Sequence, residues 1–220
     1  MFARDLITDL VPPLKTSDSV ERALNWMTEF RVNHLPIVNN RDFLGLISED
    51  DILDLNEPLE PIGNQKLSLK HPFVYEAAHL YEVLKIIDDQ KLTVVPVLDT
   101  NEEYLGLITL EVLVHRLANM SSVTEPGGIV VLEMGVRDYS LTEIARIVES
   151  NNARILSVSI TTQKDSTKMD VVLKINQTDL TYILNSFERF DYVVKATVHQ
   201  DIFMEDSKDR YDEFMKYLNI

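Results

Sequence analysis

The segment GLISEDDIL, residues 45–53, recurs downstream as GLITLEVLV, residues 106–114. Both copies begin with Gly-Leu-Ile, and both continue with a hydroxyl residue, Ser48 in the first and Thr109 in the second. An apolar strand pattern before the hydroxyl and a helical pattern after it fit a strand-to-helix junction in each copy. The recurrence therefore predicts two copies of one structural unit.

A second repeated element, an apolar strand with a central proline, precedes each copy of this segment. VNHLPIV contains Pro36 and LTVVPVL contains Pro96, 60 positions later. The polar stretches NNRDF and DTNEEY follow, and each predicts the turn of a β-hairpin. The period is longer than that of most solenoid repeats, so two copies indicate a duplicated domain.

An amphipathic helix precedes each proline-containing strand. Asp18 and Glu21 predict a capping box for the first helix, whereas Ala78 replaces the capping residue of the second. Each unit is thus predicted to run helix, strand, turn, strand, helix, over residues 1–60 and 61–122. The apolar positions with helical spacing are Val20, Ala23, Leu24, Met27 and Phe30 in the first helix, and Leu80, Val83, Leu84 and Ile87 in the second.

The segment SSVTEPGG interrupts this pattern and predicts a domain boundary. Residues 128–200 after it are predicted to form a ferredoxin-like βαββαβ sheet that helices cover on one face. Residues 201–220 are predicted to form a docking helix. The four predicted strands are 129–136, 155–162, 169–175 and 193–199, and the tail helix carries Tyr211, Phe214, Met215 and Leu218 on one face.

The composition excludes several classes of protein. A chain of 220 residues with 45% hydrophobic and 26% charged residues predicts a soluble globular protein of two domains. A formal net charge of −15 disfavours binding to nucleic acid and to anionic membranes. The apolar runs are too short to span a membrane, and the first residues lack the pattern of a signal peptide. With no cysteine, the chain has no disulfides or thiolate nucleophiles, and we expect a cytoplasmic location.

These repeated motifs are similar to those of a known regulatory family. Residues 1–120 resemble a tandem CBS-domain pair, the Bateman module, and residues 128–200 resemble an ACT domain, as in the acetoin-utilisation regulatory proteins. The resemblance implies an α+β fold and a non-catalytic regulatory role. It also implies a ligand in the clefts between the two units, either an adenine nucleotide (AMP, ADP or ATP) or S-adenosylmethionine, and a conformational signal to an unidentified protein target.

The same resemblance implies which residues bind the ligand. In a Ser/Thr-x-x-Asp pattern the hydroxyl contacts phosphate or ribose, and the Asp accepts hydrogen bonds from both ribose hydroxyls. The candidate residues of the first copy are Ser48, Asp51, His34, Leu35, Pro36 and Thr16, and those of a weaker second site are Thr109, Val95 and Pro96. The second site is weaker because Val112 replaces the Asp and accepts no hydrogen bond. Glu111 is expected to point away from that cleft, since adjacent helical residues differ by about 100°.

A structural interpretation of Ser48 and Asp51 stays open beside the ligand interpretation. Ser48 at the N-cap and Asp51 at N3 would form a capping box that stabilises the helix by about 0.5 to 2 kcal/mol. One carboxylate can serve both roles.

Other chemical roles find little support in the sequence. The acidic run Glu49 to Asp51 lacks metal-site spacing, and the five histidines, at 34, 71, 79, 115 and 199, show no metal-binding pairing, so no metal is expected. Lys70 and His71 either neutralise a phosphate or lie in a solvated loop, and Trp26 is expected to pack. The chain has no P-loop, dinucleotide fingerprint or nucleophile elbow, which indicates that it is not an enzyme.

The region 128–200 is expected to serve assembly. Its loop RDYSL has Tyr139 and Ser140 where amino-acid-binding ACT domains have small residues, which disfavours amino-acid sensing. Its uncovered sheet edges, together with the association habit of CBS pairs, predict a homodimer. A ligand-free scaffold for dimerisation or protein interaction is the alternative function.

Overall fold

The computed structural model describes residues 1–54, 59–65, 70–162 and 167–198. The chain divides into two compact units, Met1–Arg116 and Leu117–Ile220. Across the described ranges, no helix is long and apolar enough to cross a membrane.

The first unit contains the two predicted copies as far as Arg116 in the last helix, and each copy has a β-hairpin followed by a helix. The first copy consists of α1 (Val20–Phe30), β1 (His34–Asn39), β2 (Asp42–Ser48) and α2 (Glu49–Leu53). The second consists of β3 (Val74–Tyr75), α3 (Leu80–Gln90), β4 (Val94–Leu98), β5 (Tyr104–Thr109) and α4 (Leu110–Met120). The predicted helix, strand, strand, helix order is therefore confirmed in both copies.

The two hairpins share the same register. Pro36 lies opposite Leu46 in the antiparallel pair β1–β2, and Pro96 lies opposite Leu107 in the pair β4–β5. In each hairpin the register shifts directly after the residue that follows the proline. The two copies predicted from the sequence thus share even this shift in strand register.

Each copy receives a short segment from the chain ahead of the other copy. The N–H of Thr8, ahead of the first copy, donates to the carbonyl of Leu107 in β5 at 2.9 Å. The N–H of Leu46 in β2 donates to the carbonyl of Lys70, ahead of the second copy, at 2.8 Å. This exchange places residues of both copies around each strand-to-helix junction.

The caps of the first two long helices lie one residue later than predicted. Ser19 is the N-cap of α1, and its Oγ accepts from the N–H of Arg22 at 3.2 Å. The predicted capping box of Asp18 and Glu21 is therefore wrong, because Asp18 lies outside the helix and accepts from Lys15 N–H instead. In α3 the cap is correspondingly not Ala78 but the next residue, His79, which forms a capping box with Glu82.

The second unit has the predicted βαββαβ order. Its elements are β6 (Gly128–Gly135), α5 (Leu141–Ser150), β7 (Ile155–Thr162), β8 (Lys168–Ile175), α6 (Thr181–Arg189) and β9 (Val193–Val198). The sheet order is β7-β8-β6-β9, with every neighbouring pair antiparallel. The last predicted strand residue, His199, and the predicted tail helix over 201–220 lie outside the described residues.

The core of the second unit lies between one face of this sheet and its two helices. Ile160 on the edge strand β7 is 44% exposed, although its alternation predicts a buried face, and the second half of this strand is exposed throughout. Fully buried core residues include Val130 and Leu132 of β6, Val171 and Leu173 of β8, Ile144 and Val148 of α5, and Ile183 and Phe187 of α6.

Candidate functional site

The junction between β2 and α2 contains a complete capping box. Ser48 is extended at the N-cap, and its Oγ accepts from the N–H of Asp51 at 3.2 Å. In return, Oδ2 of Asp51 accepts from Ser48 N–H at 2.9 Å and from Ser48 O–H at 2.6 Å. The structural interpretation of this pair is therefore confirmed.

The capping box uses only one carboxylate oxygen of Asp51. Both of its hydrogen bonds end on Oδ2, and no donor from the described residues reaches Oδ1. An ionised carboxylate has about four acceptor positions. The exposed Asp51 side chain thus keeps acceptor capacity for a further donor.

His34 lies at the same end of the first hairpin, opposite Ser48. Its Nδ1 atom is 3.1 Å from Oγ1 of Thr93, a residue of the second copy. Burial, followed by the Lys70 cation, lowers the pKa of His34, whereas the carboxylates of Asp51 and Asp50 act in the opposite direction. This end of the first hairpin, called the first cleft below, therefore brings together Ser48, Asp51 and His34. Lys70 lies close enough for its positive charge to act on the His34 ring.

The remaining first-copy candidates occupy other positions. Leu35 is fully buried, and the carbonyl of Pro36 accepts from the N–H of Leu14 at 2.8 Å. Thr16 hydrogen-bonds to Asn39, with Nδ2 of Asn39 donating to its Oγ1 at 3.0 Å. Since Asn39 is five residues beyond His34 on an extended strand, Thr16 lies roughly 16 Å from the His34 end. The structure does not bring Thr16 to Ser48 and Asp51.

The corresponding region of the second copy, called the second cleft below, contains an open cavity of about 470 Å³ beside Thr109. Oγ1 of Thr109 accepts from the N–H of Val112 at 3.3 Å and so caps the start of α4. The apolar part of the cavity wall is Leu10, Val11, Phe30, Val32 and Leu110, and the polar part is Thr93, Thr109, Glu29, Arg31 and Glu111. Apolar walls with a few converging polar groups are typical of small-molecule sites.

Sequence reasoning missed most of this cavity. The expectation that Glu111 points away is wrong, because Glu111 lines the cavity. Arg31 does so from the left-handed C-cap of α1, at φ 55°. Of the predicted second-site residues, Thr109 lines the cavity, whereas Val95 and Pro96 are buried within β4. The one signal in the sequence that could have indicated this cavity is Thr93, a polar residue directly before the apolar strand β4.

Three of the other histidines and the single tryptophan lie in packing or capping positions or at the surface. The His71 ring contacts Phe43 at 6.0 Å, His79 caps α3, and His115 is exposed on α4. Trp26 packs on Phe30 of the same helix, as expected. Within the ranges that the structure describes, no three His, Asp or Glu side chains are placed to hold a metal ion.

In the second unit, the loop between β6 and α5 contributes a helix cap and a core contact. Ser140 caps α5 by accepting from Glu143 N–H at 3.4 Å, and Tyr139 packs against the core. A neighbouring cavity of about 400 Å³ is lined by Glu133, Glu143 and Tyr192 among others. The Tyr192 hydroxyl donates to Glu143 at 3.2 Å, and burial, followed by this carboxylate, raises the pKa of Tyr192 to about 12.

Comparison with known proteins finds a family match over the first unit. The CBS-domain family model matches residues 3–57 and 67–119. A protein of Thermofilum pendens, named "Uncharacterized 33.4 kDa protein in ribosomal RNA operon", is 24% identical over 144 residues, and the match covers 56% of this chain and 48% of that protein. The chain thus spans about half the length of this curated relative.

Solved structures with similar folds also align with about half of the chain. A CBS domain pair/ACT domain protein from Thermotoga maritima is 23% identical and covers 54% of this chain and 98% of its own, with a TM-score of 0.48. CBSX2, a CBS-pair protein from Arabidopsis thaliana, has a structure in complex with AMP that is 20% identical and covers 54% of this chain and 96% of its own, with a TM-score of 0.47.

Proposed function

Because residues 3–57 and 67–119 form a tandem pair of CBS domains, a regulatory type of module that generally binds adenosyl ligands, we propose that the chain is a non-catalytic sensor of an adenosyl ligand. The ligand is AMP, ADP, ATP or S-adenosylmethionine, bound in the clefts of the CBS pair. The observation that carries the proposal is the cavity beside Thr109, whose walls suit each part of such a molecule.

The second cleft offers a complementary surface for each part of a nucleotide. Val11, Val32 and the other apolar wall residues suit the flat face of adenine. The Thr109 hydroxyl and the Glu111 carboxylate are groups that bind ribose hydroxyls, and Arg31 is a cation that binds phosphate. These contacts are available although Val112 lacks the carboxylate of its counterpart, Asp51.

In the first cleft, residues other than those of the second cleft would bind the ligand. Asp51 keeps acceptor capacity for a ribose hydroxyl after capping α2, and Lys70 supplies a positive charge beside His34. The two clefts of one chain are therefore chemically unequal, with a carboxylate at the third helical position in the first and an isopropyl group there in the second.

Signalling follows from contacts that join the two CBS copies. Asn33 N–H donates to Thr93 Oγ1 at 2.9 Å, and Arg41 forms an ion pair with Glu103 at 2.6 Å. A ligand that binds one arrangement of the copies better than another shifts their equilibrium by its differential affinity. In this proposal the shift reaches an unidentified target protein, and the ACT-like second unit serves assembly of a cytoplasmic homodimer.

Thermal unfolding with a ligand panel tests the proposal. AMP, ADP, ATP and S-adenosylmethionine are compared at equal concentration with GMP, which has the same ribose phosphate but a different base. A ligand in 100-fold excess over its Kd stabilises the folded state by about 2.7 kcal/mol. We expect at least one adenosyl compound to raise the Tm well above the effect of GMP.

A ligand-free scaffold for dimerisation or protein interaction is the second candidate function. The observation that favours it is that Asp51 already completes a capping box without any ligand. A scaffold would show the same Tm with each of the four compounds as without them, and that result would exclude the sensor.

A further inference from the structure

Thr93 belongs to both clefts of the CBS pair. It lines the cavity of the second cleft, and its Oγ1 lies 3.1 Å from Nδ1 of His34 in the first. The same oxygen accepts a hydrogen bond from the backbone N–H of Asn33 at 2.9 Å. A single threonine of the second copy thus contacts two consecutive residues of the first.

The hydrogen bonds around Thr93 determine the tautomer of His34. The backbone N–H of Thr93 can only donate, and it points to Nδ1 of His34 at 3.4 Å. Nδ1 therefore carries a lone pair, and the ring is neutral with its proton on Nε2. The Thr93 hydroxyl, which already accepts from Asn33, donates its proton to the same Nδ1 atom.

Charged groups from both copies face His34. Lys70 comes from the segment ahead of the second copy, and Asp50 and Asp51 come from α2 of the first. Burial and Lys70 together keep the pKa of His34 below its ordinary value. A hydroxyl that donates to Nδ1 stabilises only the neutral ring, so losing that donor raises the pKa.

We propose that Thr93 couples the two clefts, so that an anionic ligand accepting the Thr93 hydroxyl proton in the second cleft promotes protonation of His34 in the first. This inference rests on the proposed function and adds a way in which ligand binding in one cleft regulates ligand binding in the other. When a phosphate oxygen accepts the O–H of Thr93, Nδ1 of His34 loses a donor and takes up a proton from solvent. Protonation of Nδ1 also breaks the long 3.4 Å bond from Thr93 N–H.

The consequence is positive coupling between anionic ligands. The imidazolium of His34 lies near the Lys70 cation, which makes the first cleft more positive and strengthens its attraction for a phosphate. By linkage, a ligand in the first cleft strengthens binding in the second by the same factor. Binding then tightens as the pH falls, by no more than about tenfold per pH unit for one linked proton.

Calorimetric titration with AMP in two buffers of different ionisation enthalpy measures the protons taken up per ligand. Near the ordinary pKa of histidine, about pH 6.5, the wild type should take up protons on binding, and Thr93→Val should lose that uptake because it keeps the shape of the side chain without the hydroxyl. Thr93→Ser keeps a hydroxyl and should retain the uptake. The phosphate of AMP also titrates near this pH, so the same titration of His34→Gln gives the proton uptake that does not come from His34.

Thr109→Val is the matched control, because it removes the other hydroxyl of the same cavity. It should weaken AMP binding without changing the number of protons taken up. Equal proton uptake by the wild type and Thr93→Val would overturn the coupling.

A ligand-free experiment separates this inference from the proposed function. The His34 ring is titrated by NMR, and its signal is assigned by its absence in His34→Gln. Thr93→Val should raise the pKa of His34 toward its ordinary value, and Thr109→Val should leave it unchanged. An unchanged titration in Thr93→Val would show that the link is absent, whereas AMP failing to bind any variant would exclude the AMP sensor even if the link is present.

Discussion

At the scale of single residues, Asp51 can serve a helix and a ligand with different oxygens. Its Oδ2 completes the capping box with Ser48, while no donor among the described residues reaches Oδ1. Asp51→Ala removes the capping carboxylate and, with it, the proposed ligand contact. We expect the free energy of unfolding to fall by about 1 kcal/mol, and AMP binding in the first cleft to weaken by roughly tenfold to over a hundredfold. Urea unfolding and calorimetry measure the two effects.

Asp51→Asn separates the two roles. Asparagine keeps the size and part of the capping ability but loses the negative charge. Stability should stay near that of the wild type while AMP binding weakens. If Asp51→Ala binds AMP as well as the wild type does, the carboxylate serves the helix alone.

His34 makes the stability of the folded chain depend on pH. Its pKa is lowered in the folded state, so the unfolded chain binds this proton first as the pH falls through about 6.5. The free energy of unfolding therefore decreases below that pH and levels off, for this group, below the folded pKa. Urea unfolding between about pH 8 and pH 5 should show a smaller decrease for His34→Gln. Parallel curves for the two proteins would contradict this prediction.

At the scale of elements, α4 starts with half of a capping box. Thr109 accepts from Val112 N–H, but the Val112 side chain cannot accept in return. Val112→Asp should raise the free energy of unfolding by about 0.5 to 1 kcal/mol and strengthen AMP binding in the second cleft about tenfold or more. Val112→Thr keeps the branched shape without a carboxylate and should give neither gain. Calorimetry and urea unfolding of both variants check the prediction.

The helices and strands were predictable because each depends on a local pattern that occurs twice. Helical spacing indicated α1 and α3, and the polar stretches after the two proline-containing segments indicated the hairpins. The caps were predicted one residue early because Asp18 and Ser19 are both good capping residues, and only the backbone shows which one precedes the first helical turn.

The second cavity was not predictable in the same way. Its wall combines the segment around Leu10, the end of α1 at Arg31, the residue before β4 and the start of α4. These segments are far apart in sequence and meet only because each copy receives the segment ahead of the other. The Ser/Thr-x-x-Asp pattern, by contrast, is local, and the sequence alone identified Ser48 and Asp51 as neighbours.

At the scale of the whole molecule, exposed apolar side chains and open sheet edges favour self-association. On α4, Val114 is 58% exposed and Met120 is 44% exposed, and β7 and β9 form the two edges of the second sheet among the described strands. We predict a homodimer, because burying such surfaces against a second copy removes apolar area and unpaired strands from water. Light scattering at micromolar concentration should give twice the chain mass of 25.3 kDa. A mass of one chain would contradict the prediction.

The central claim is that the CBS pair holds an adenosyl ligand in unequal clefts, and isothermal calorimetry of the wild type tests it most directly. Titration with AMP, ADP, ATP and S-adenosylmethionine should give saturable binding of at least one compound, with one tight site per chain and a weaker second site. Asp51→Ala should weaken the tight site by roughly tenfold or more and leave the other site in place. The absence of saturable binding by all four compounds, or two equal sites that Asp51→Ala leaves unchanged, would contradict the claim.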